Sequence, residues 1–474
     1  MKYRLLFLFF YICSSALTAT AQLSPPPPNP APQVPRRLTL AEAERLLLDR
    51  NLAVAASKYQ IEASRAARLL ASYKPNPLLT VGAEQLVLHR SPVNWFRTNP
   101  DIAAQGTYTV RLDKLIERGG KRELRIAQSE AQIKANEALL LDAVRTQMFQ
   151  LRQAYVQATL ARKQLQLAEQ VQRDYEQTVR LTEAKVEQGD LAGLEVYRAR
   201  AGLLQYQQQV LQSQTTYQQA TRDVLNLLGA QLADVAPAGQ QTTQNSTAPT
   251  EQVGVLRNAS YTANDSEPQF SALLTDAPLE LVAEFEDRPL PQALTELRTL
   301  ALQTRPDVQA ARHVFEAQQQ GVLLARAQRI RDWDVATEIQ RVGTDQTVGA
   351  TWTIPLFLYN NQRAAITQAE AQQKASETLL HQAELQAMTD VEKAFQAYTT
   401  ARRTLDLFGK QNLAQIEKLR TIANFSFKEG ASSLFELLDA QRTYNAAQAA
   451  YNQARADYQL ALWQLEQATG APLR

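Results

Sequence analysis

Among 474 residues there is one cysteine, Cys13. It lies in an N-terminal stretch with the marks of a secretory signal, so the exported chain is expected to have no disulfide and no thiolate metal site. A membrane-spanning apolar run is missing too. Leu5 to Ile12 is apolar but falls short of the roughly 20 residues that a bilayer requires. Lys2 and Arg4 precede it, and Ala19-Thr20-Ala21 offers a small-x-small cleavage site, so residues 1–21 read as a signal peptide rather than an anchor. Phe10-Tyr11-Ile12 lacks the small residues expected before a lipidated cysteine. Net charge is nearly absent: 50 basic residues face 48 acidic ones, which argues against nucleic acid as a partner. Glycine and proline are scarce, at 16 and 20 residues. With Ala, Gln, Leu, Arg and Glu abundant, that composition favours long helices over a mixed α/β enzyme. The three histidines, His89, His313 and His381, are far apart and show no metal-ligand spacing. Nothing resembles a nucleophile elbow or a paired-acid site, so neither catalysis nor a cofactor is expected.

The second half of the chain repeats the first. Asn51 to Ala56 matches Arg305 to Ala310 at an offset of 254. Gln188-Gly189-Asp190 matches Glu429-Gly430-Ala431, and Gly229-Ala230 matches Gly470-Ala471, both at an offset of 241. The difference falls near residues 89–104, where the first copy has a longer loop. Each copy, 38–232 and 290–474, predicts helix, strand, strand, very long helix and return helix. In the first copy the helices are expected at Leu40–Ser72, 120–186 and 193–228. In the second they are expected at 291–331, 362–428 and 433–468. The return helices carry heptads: Leu437, Tyr444, Tyr451, Tyr458 and Leu465, with Ala440, Ala447, Ala454 and Ala461 beside them. The first copy places Val196, Leu203, Val210, Tyr217 and Val224 in the same slots. Repeats this long indicate coiled-coil seams.

Strands are expected near 78–88, 105–113, 332–341 and 347–356. Apolar residues such as Val81, Val110, Ile339 and Val348 alternate with polar ones, among them Glu84, Arg111 and Glu338. Each stretch has the length of a tilted membrane strand, about 9–11 residues. In lipid a sheet must close to pair its backbone groups, and the smallest membrane barrels have about eight strands. Four membrane strands would therefore have to be shared between chains, three chains giving twelve, with Glu84, Arg111 and Glu338 facing water. Two ordinary soluble hairpins packed on helices remain the alternative on periodicity alone.

The set of motifs resembles the TolC-like outer membrane efflux family across about 38–232 and 290–472. It comprises the duplication, Arg305-Pro306-Asp307-Val308, Gly119-Gly120-Lys121-Arg122, Pro355-Leu356-Phe357 with Asn360-Asn361, and the turn at Glu429–Gln441. The resemblance implies a homotrimer with a 12-stranded outer-membrane barrel and a long α-helical periplasmic tunnel. It also implies a periplasmic adaptor and an inner-membrane pump as partners. The turns at Gly189 and Gly430 would form the periplasmic mouth. Glu436 and Asp439, with Glu195 in the first copy, would form an acidic gate. Arg198 stands opposite Asp439 in the other copy, and Ser432 replaces an arginine that helps lock the mouth of TolC itself. Ile116 to Arg122 is similar to the junction of CzcC-like channels of heavy-metal pumps, which implies metal cations or small toxic compounds as cargo. A polypeptide secretion duct and a periplasmic coiled-coil scaffold without a barrel are the alternatives.

The remaining segments say less. Residues 22–37 are a proline-rich leader expected to be extended and partly disordered. Residues 233–289 form a polar linker expected at the tunnel's equator, with a disordered part around Ala238–Glu267. The loop from His89 to Ala104, with Trp95 and Phe96, is expected to face outward.

Overall fold

The computed structural model describes residues 34–35, 37–84, 106–230, 280–282, 293–342, 345–357 and 361–473. The signal segment, most of the leader, the loop at 89–104 and nearly all of the linker lie outside the described residues.

The plan runs twice. In the first copy β1 (Arg37–Thr39) leads into α1 (Leu40–Arg50) and α2 (Leu52–Ser72). Strands β2 (Leu78–Glu84) and β3 (Thr107–Ile116) follow, then the long helix α3 (Lys121–Glu187) and the return helix α4 (Gly193–Leu227). In the second copy β4 (Glu280–Val282) precedes α5 (Leu294–Thr304), α6 (Pro306–Ala327), β5 (Trp333–Val342) and β6 (Asp345–Thr353). Helices α7 (Arg363–Leu407), α8 (Lys410–Lys428) and α9 (Leu434–Thr469) complete it. At 67 residues α3 is about 100 Å long.

Three expected helices are interrupted, each for a local reason. The helix expected over Leu40–Ser72 breaks at Asn51, whose side-chain oxygen accepts from the amides of Ala53 and Val54 at 2.9 and 3.1 Å. This N-cap starts α2 afresh. The helix expected over 291–331 breaks at the matching residue, Arg305, because the following Pro306 drives it extended and then opens α6 at its first turn. The helix expected over 362–428 breaks at Phe408-Gly409, where the Asn412 amide donates to the Leu407 carbonyl at 2.6 Å. The first copy holds Ala168 at the position of Gly409, and α3 runs through unbroken. Alanine is the best helix former and glycine among the worst.

Both kinks are tied to the end of their return helix. The Asn51 amide donates to the Leu227 carbonyl at 2.9 Å. Arg305 Nη1 donates to the Ala468 carbonyl at 3.3 Å. Gly229 and Gly470 end those helices in the left-handed conformation, φ 62° and 73°, which glycine alone adopts at no steric cost. Around each knot lies a core. The first joins Leu38, Leu47, Leu151, Tyr155, Val224 and Leu281. The second joins Leu297, Val391, Ala394, Tyr458, Leu462 and Leu465. The heptad residues thus point inward: Leu437, Tyr458 and Leu465 are buried, as are Tyr217 and Val224.

Ion pairs lock the copies together. Arg152 on α3 reaches Glu44 on α1 at 2.6 Å and Glu466 on α9 at 3.1 Å. The leader and the linker also meet: β1 pairs parallel to β4, with Leu38 opposite Leu281. Val34, at the end of the expected extended leader, is fully buried in this core.

Candidate functional site

The four strands form one antiparallel sheet in the order β2-β3-β5-β6. Its second strand runs three residues past the expected end, because Lys114, Leu115 and Ile116 continue pairing with β5 as far as Trp333. The last strand stops at Thr353, two residues before Pro355, which has no amide proton to give the ladder. Register fixes the two faces. Thr80, Gly82 and Glu84 share one face with Thr109, Arg111, Asp113, Glu338, Gln340 and Thr347. Leu79, Val81, Tyr108, Val110, Leu112, Val335, Ile339, Val348 and Trp352 share the other.

Arg111 and Glu338 are cross-strand neighbours at 3.9 Å, and Arg111 also pairs with Asp113 at 2.8 Å. Glu84 is on the same face at the loop end of the sheet, opposite Thr107. Beside Glu338, Gly349 leaves room that a Cβ would fill, at 3.1 Å from the Glu338 side chain. All three expected polar residues therefore share one face, and Asp113 joins them through an ordinary i, i+2 relation. On the opposite face large apolar side chains are uncovered, Val348 to 81 %. The outer strands β2 and β6 have no strand beyond them among the described residues. All four strands join helices at the same end of the sheet. No described helix is long and apolar enough to cross a membrane.

The joint between sheet and helix explains one sequence motif. Gly119 and Gly120 are both left-handed, φ 76° and 65°, and a Cβ on Gly119 would meet Ile330 at 2.7 Å. Lys121 is buried and pairs with Asp332 at 2.8 Å, while the same carboxylate accepts from the Arg118 amide at 2.9 Å. These residues turn the chain from β3 into α3 and clamp it to the start of β5.

At the far ends of the helices the two turns are closely alike. Gly189 and Gly430 have φ 85° and 76°. The amides after them, of Asp190 and Ala431, reach back to the carbonyls of Lys185 and Ser426 at 2.9 and 2.8 Å. This is the Schellman ending of a helix. The turns pack on each other: Phe427, Leu434 and Leu437 bury against Leu181 and Leu191, and the Lys185 ammonium lies 5.3 Å from the Phe427 ring. Further up, Arg420 pairs with Asp174 at 3.2 Å and stacks 4.3 Å over Tyr444, binding α8 to α3 and α9.

The three candidate acids differ in their surroundings. Glu436 closes a capping box on α9: its carboxylate accepts from the Ser433 amide, and its own amide donates to the Ser433 hydroxyl, both at 3.3 Å. Glu195 is paired with Arg198 at 2.8 Å. Asp439 is exposed and has no hydrogen-bond or ion-pair partner among the described residues. Ser432, which stands where the resemblance implies an arginine, has a buried hydroxyl without a partner among the described residues. The capping box was legible from Ser433-x-x-Glu436, and the Arg198 pair from its i, i+3 spacing. The Arg420–Asp174 tie joins residues 246 positions apart and has no local signal.

The sequence matches the family model described as outer membrane efflux protein over residues 45–230 and 297–471. The chain belongs to the outer membrane efflux protein family. A curated relative, the alkaline protease secretion protein AprF of Pseudomonas aeruginosa, is 22 % identical over 329 residues. The match takes in 66 % of this chain and 58 % of AprF, so the chain spans little more than half of that relative. Among solved structures, the outer-membrane channel OprN superposes with a TM-score of 0.69 at 19 % identity, covering 91 % of this chain and 90 % of that one. The open state of the Neisseria gonorrhoeae MtrE channel gives 0.68 at 17 % identity, covering 92 % and 89 %. CusC gives 0.67 at 19 %, covering 91 % and 92 %. The fold is therefore TolC-like.

Proposed function

We propose that the chain works as a homotrimeric exit duct, receiving cargo from an inner-membrane pump through a periplasmic adaptor. The observation that carries this reading is the open four-stranded sheet with one bare apolar face and one polar face, joined at one end to helices about 100 Å long. In lipid the free edges of β2 and β6 must be paired, and four strands cannot close by themselves. Pairing β2 of one chain with β6 of the next closes twelve strands from three chains. The apolar face then meets lipid, and Glu84, Arg111 and Glu338 line a water-filled bore. The duct performs no chemistry, and the pump supplies the energy.

In this reading the turns at Gly189 and Gly430 form the periplasmic mouth. Glu436 and Asp439, three residues apart, project from one face of α9 and form two acidic rings in the trimer. Such rings favour cations. Asp439, having no partner among the described residues, contributes most. Glu195 adds little while Arg198 neutralises it. With Ser432 in place of the arginine, the mouth is held by the Phe427 cluster and the Arg420–Asp174 tie instead.

For cargo, the resemblance at Ile116–Arg122 supports heavy-metal cations or small toxic compounds. The likeness to AprF supports a second reading, a secretion duct for polypeptide. Deleting the gene separates them: metal sensitivity supports the first, and loss of a secreted protein without metal sensitivity supports the second. Purified protein in a planar bilayer tests the duct itself, and absence of conductance overturns it.

A further inference from the structure

The lipid-facing side of the sheet is not uniformly apolar. At the end that joins the helices it carries a basic and aromatic band. Trp333 and Trp352 meet edge to face, with ring centroids 5.2 Å apart. The Arg118 guanidinium lies 4.1 Å over the Trp333 ring. Arg331 lies 5.6 Å over Phe357. Lys114, opposite Val335, is the one basic residue on the apolar face at this end, set between Leu112 and Ile116. Register places Lys114 and Trp352 two residues from the Ile116–Trp333 pair, and Arg118 and Arg331 lie two residues beyond that pair in the chain.

None of the three cations has a carboxylate partner among the described residues. Their neighbours show that this is selective. Lys121 is paired with Asp332, and Arg125 with Glu117 at 2.7 Å. No described helix can enter lipid, and in the duct reading the helices stand in the periplasm, so the helix-joined end of the sheet lies at the inner leaflet. Aromatic rings at such a boundary sit at headgroup level, and long basic side chains extend from the apolar face towards the phosphates.

We propose that Lys114, Arg118 and Arg331 form a binding belt for anionic phospholipid headgroups of the inner leaflet of the outer membrane, with Trp333 and Trp352 as its floor. The inference rests on the barrel reading above. Cation–π contact fixes Arg118 and Arg331 before lipid arrives, and their outward N–H groups remain for phosphate oxygens. Lys114 reaches the same level from one pleat above.

The test uses the full-length trimer in nanodiscs of equal phosphatidylglycerol and phosphatidylcholine, with retained lipid counted by native mass spectrometry. Each basic residue at an anionic surface is worth about a fivefold preference, so the wild type should retain phosphatidylglycerol about fivefold or more over phosphatidylcholine. Combining Lys114→Gln, Arg118→Gln and Arg331→Gln should bring the ratio close to one while trimer mass and conductance stay unchanged. Arg118→Lys combined with Lys114→Gln and Arg331→Gln should keep part of the preference that the triple glutamine variant loses. Lys393→Gln, a control far along α7, should leave the ratio as it was. Equal retention of both lipids by an inserted, conducting wild-type trimer overturns the belt alone, as does a triple variant that keeps the wild-type ratio. A chain that neither inserts nor trimerises overturns the barrel reading and the belt with it.

Discussion

Arg305 grips Asp307 with two parallel hydrogen bonds, Nε to Oδ1 at 3.0 Å and Nη2 to Oδ2 at 2.6 Å. The guanidinium is almost wholly buried, and its third arm reaches Asp390 at 3.0 Å. This pair fixes the break between α5 and α6 and ties it to α7 and α9. Burial by itself would raise the Asp307 carboxyl, but the hydrogen bonds and charge of Arg305 outweigh it and hold the group below the usual carboxylate range. A depressed carboxylate stabilises the fold above its unfolded value of about 3.9, and that contribution is lost as pH falls through the lower folded value.

Asp307→Asn is therefore expected to cost about 1.5–3 kcal/mol near neutral pH, the worth of hydrogen bonds to a charged group. The difference in Tm between variant and wild type should hold steady above about pH 5 and shrink as pH falls below about 4. Thermal unfolding across that range checks it. A difference independent of pH would contradict the role given to the ionised carboxylate.

Left-handed positions give a second, two-sided prediction. At Gly470 a Cβ would come within 3.0 Å of the Arg305 Cα, and at Gly229 within 2.9 Å of the Arg50 carbonyl oxygen. Alanine at either site should destabilise by more than the left-handed penalty of about 1–2 kcal/mol. Gln362 is a non-glycine residue with φ 63°, in the place that Gly120 fills in the other copy. Gln362→Gly should raise stability by about 1 kcal/mol for the same reason. Denaturant midpoints for the three variants decide the matter, and a Gln362→Gly protein less stable than wild type would count against it.

Much of this architecture could be read from the residues. Heptads placed the return helices, and alternation placed the two faces of the sheet down to Glu84, Arg111 and Glu338. The helix breaks were harder to see. Asn51 is one polar residue inside a helical pattern until its side-chain amide finds Leu227, 176 positions away. Arg305 stands before a proline, but the helical pattern on both sides hid the boundary. Gly409 differs from its counterpart Ala168 by one methyl group. At the helix turns, the capping of Glu436 by Ser433 and the pairing of Glu195 with Arg198 follow from local spacing. The Arg420–Asp174 tie joins the two copies, and no local pattern encodes such a contact.

If the turns form the proposed mouth, its acids should behave unequally. Asp439→Ala should lower cation selectivity more than Glu436→Ala. Glu436→Gln should keep the capping box, whereas Glu436→Ala should also cost about 1 kcal/mol of helix stability. Arg198→Ala releases Glu195 from its ion pair and should raise cation selectivity. Reversal potentials in a salt gradient measure all four, and no change in any of them would remove these residues from the gate.

The two faces of the sheet should tolerate charge differently. Val348→Arg or Val81→Arg places a cation on the bare apolar face and should cost about 2–4 kcal/mol near the bilayer midplane. Thr347→Arg, on the opposite face, should insert normally and alter conductance. Membrane fractionation with a heat-modifiability gel shift separates the outcomes. Equal insertion of Val348→Arg and Thr347→Arg would mean that the apolar face does not meet lipid.

The central claim is that three chains share one barrel around a continuous bore. Single-channel recording from purified full-length protein tests it most directly, with subunit number read by native mass spectrometry on the same sample. A trimer that conducts ions is expected. A trimer with no conductance, or a conducting species of one chain, would contradict it.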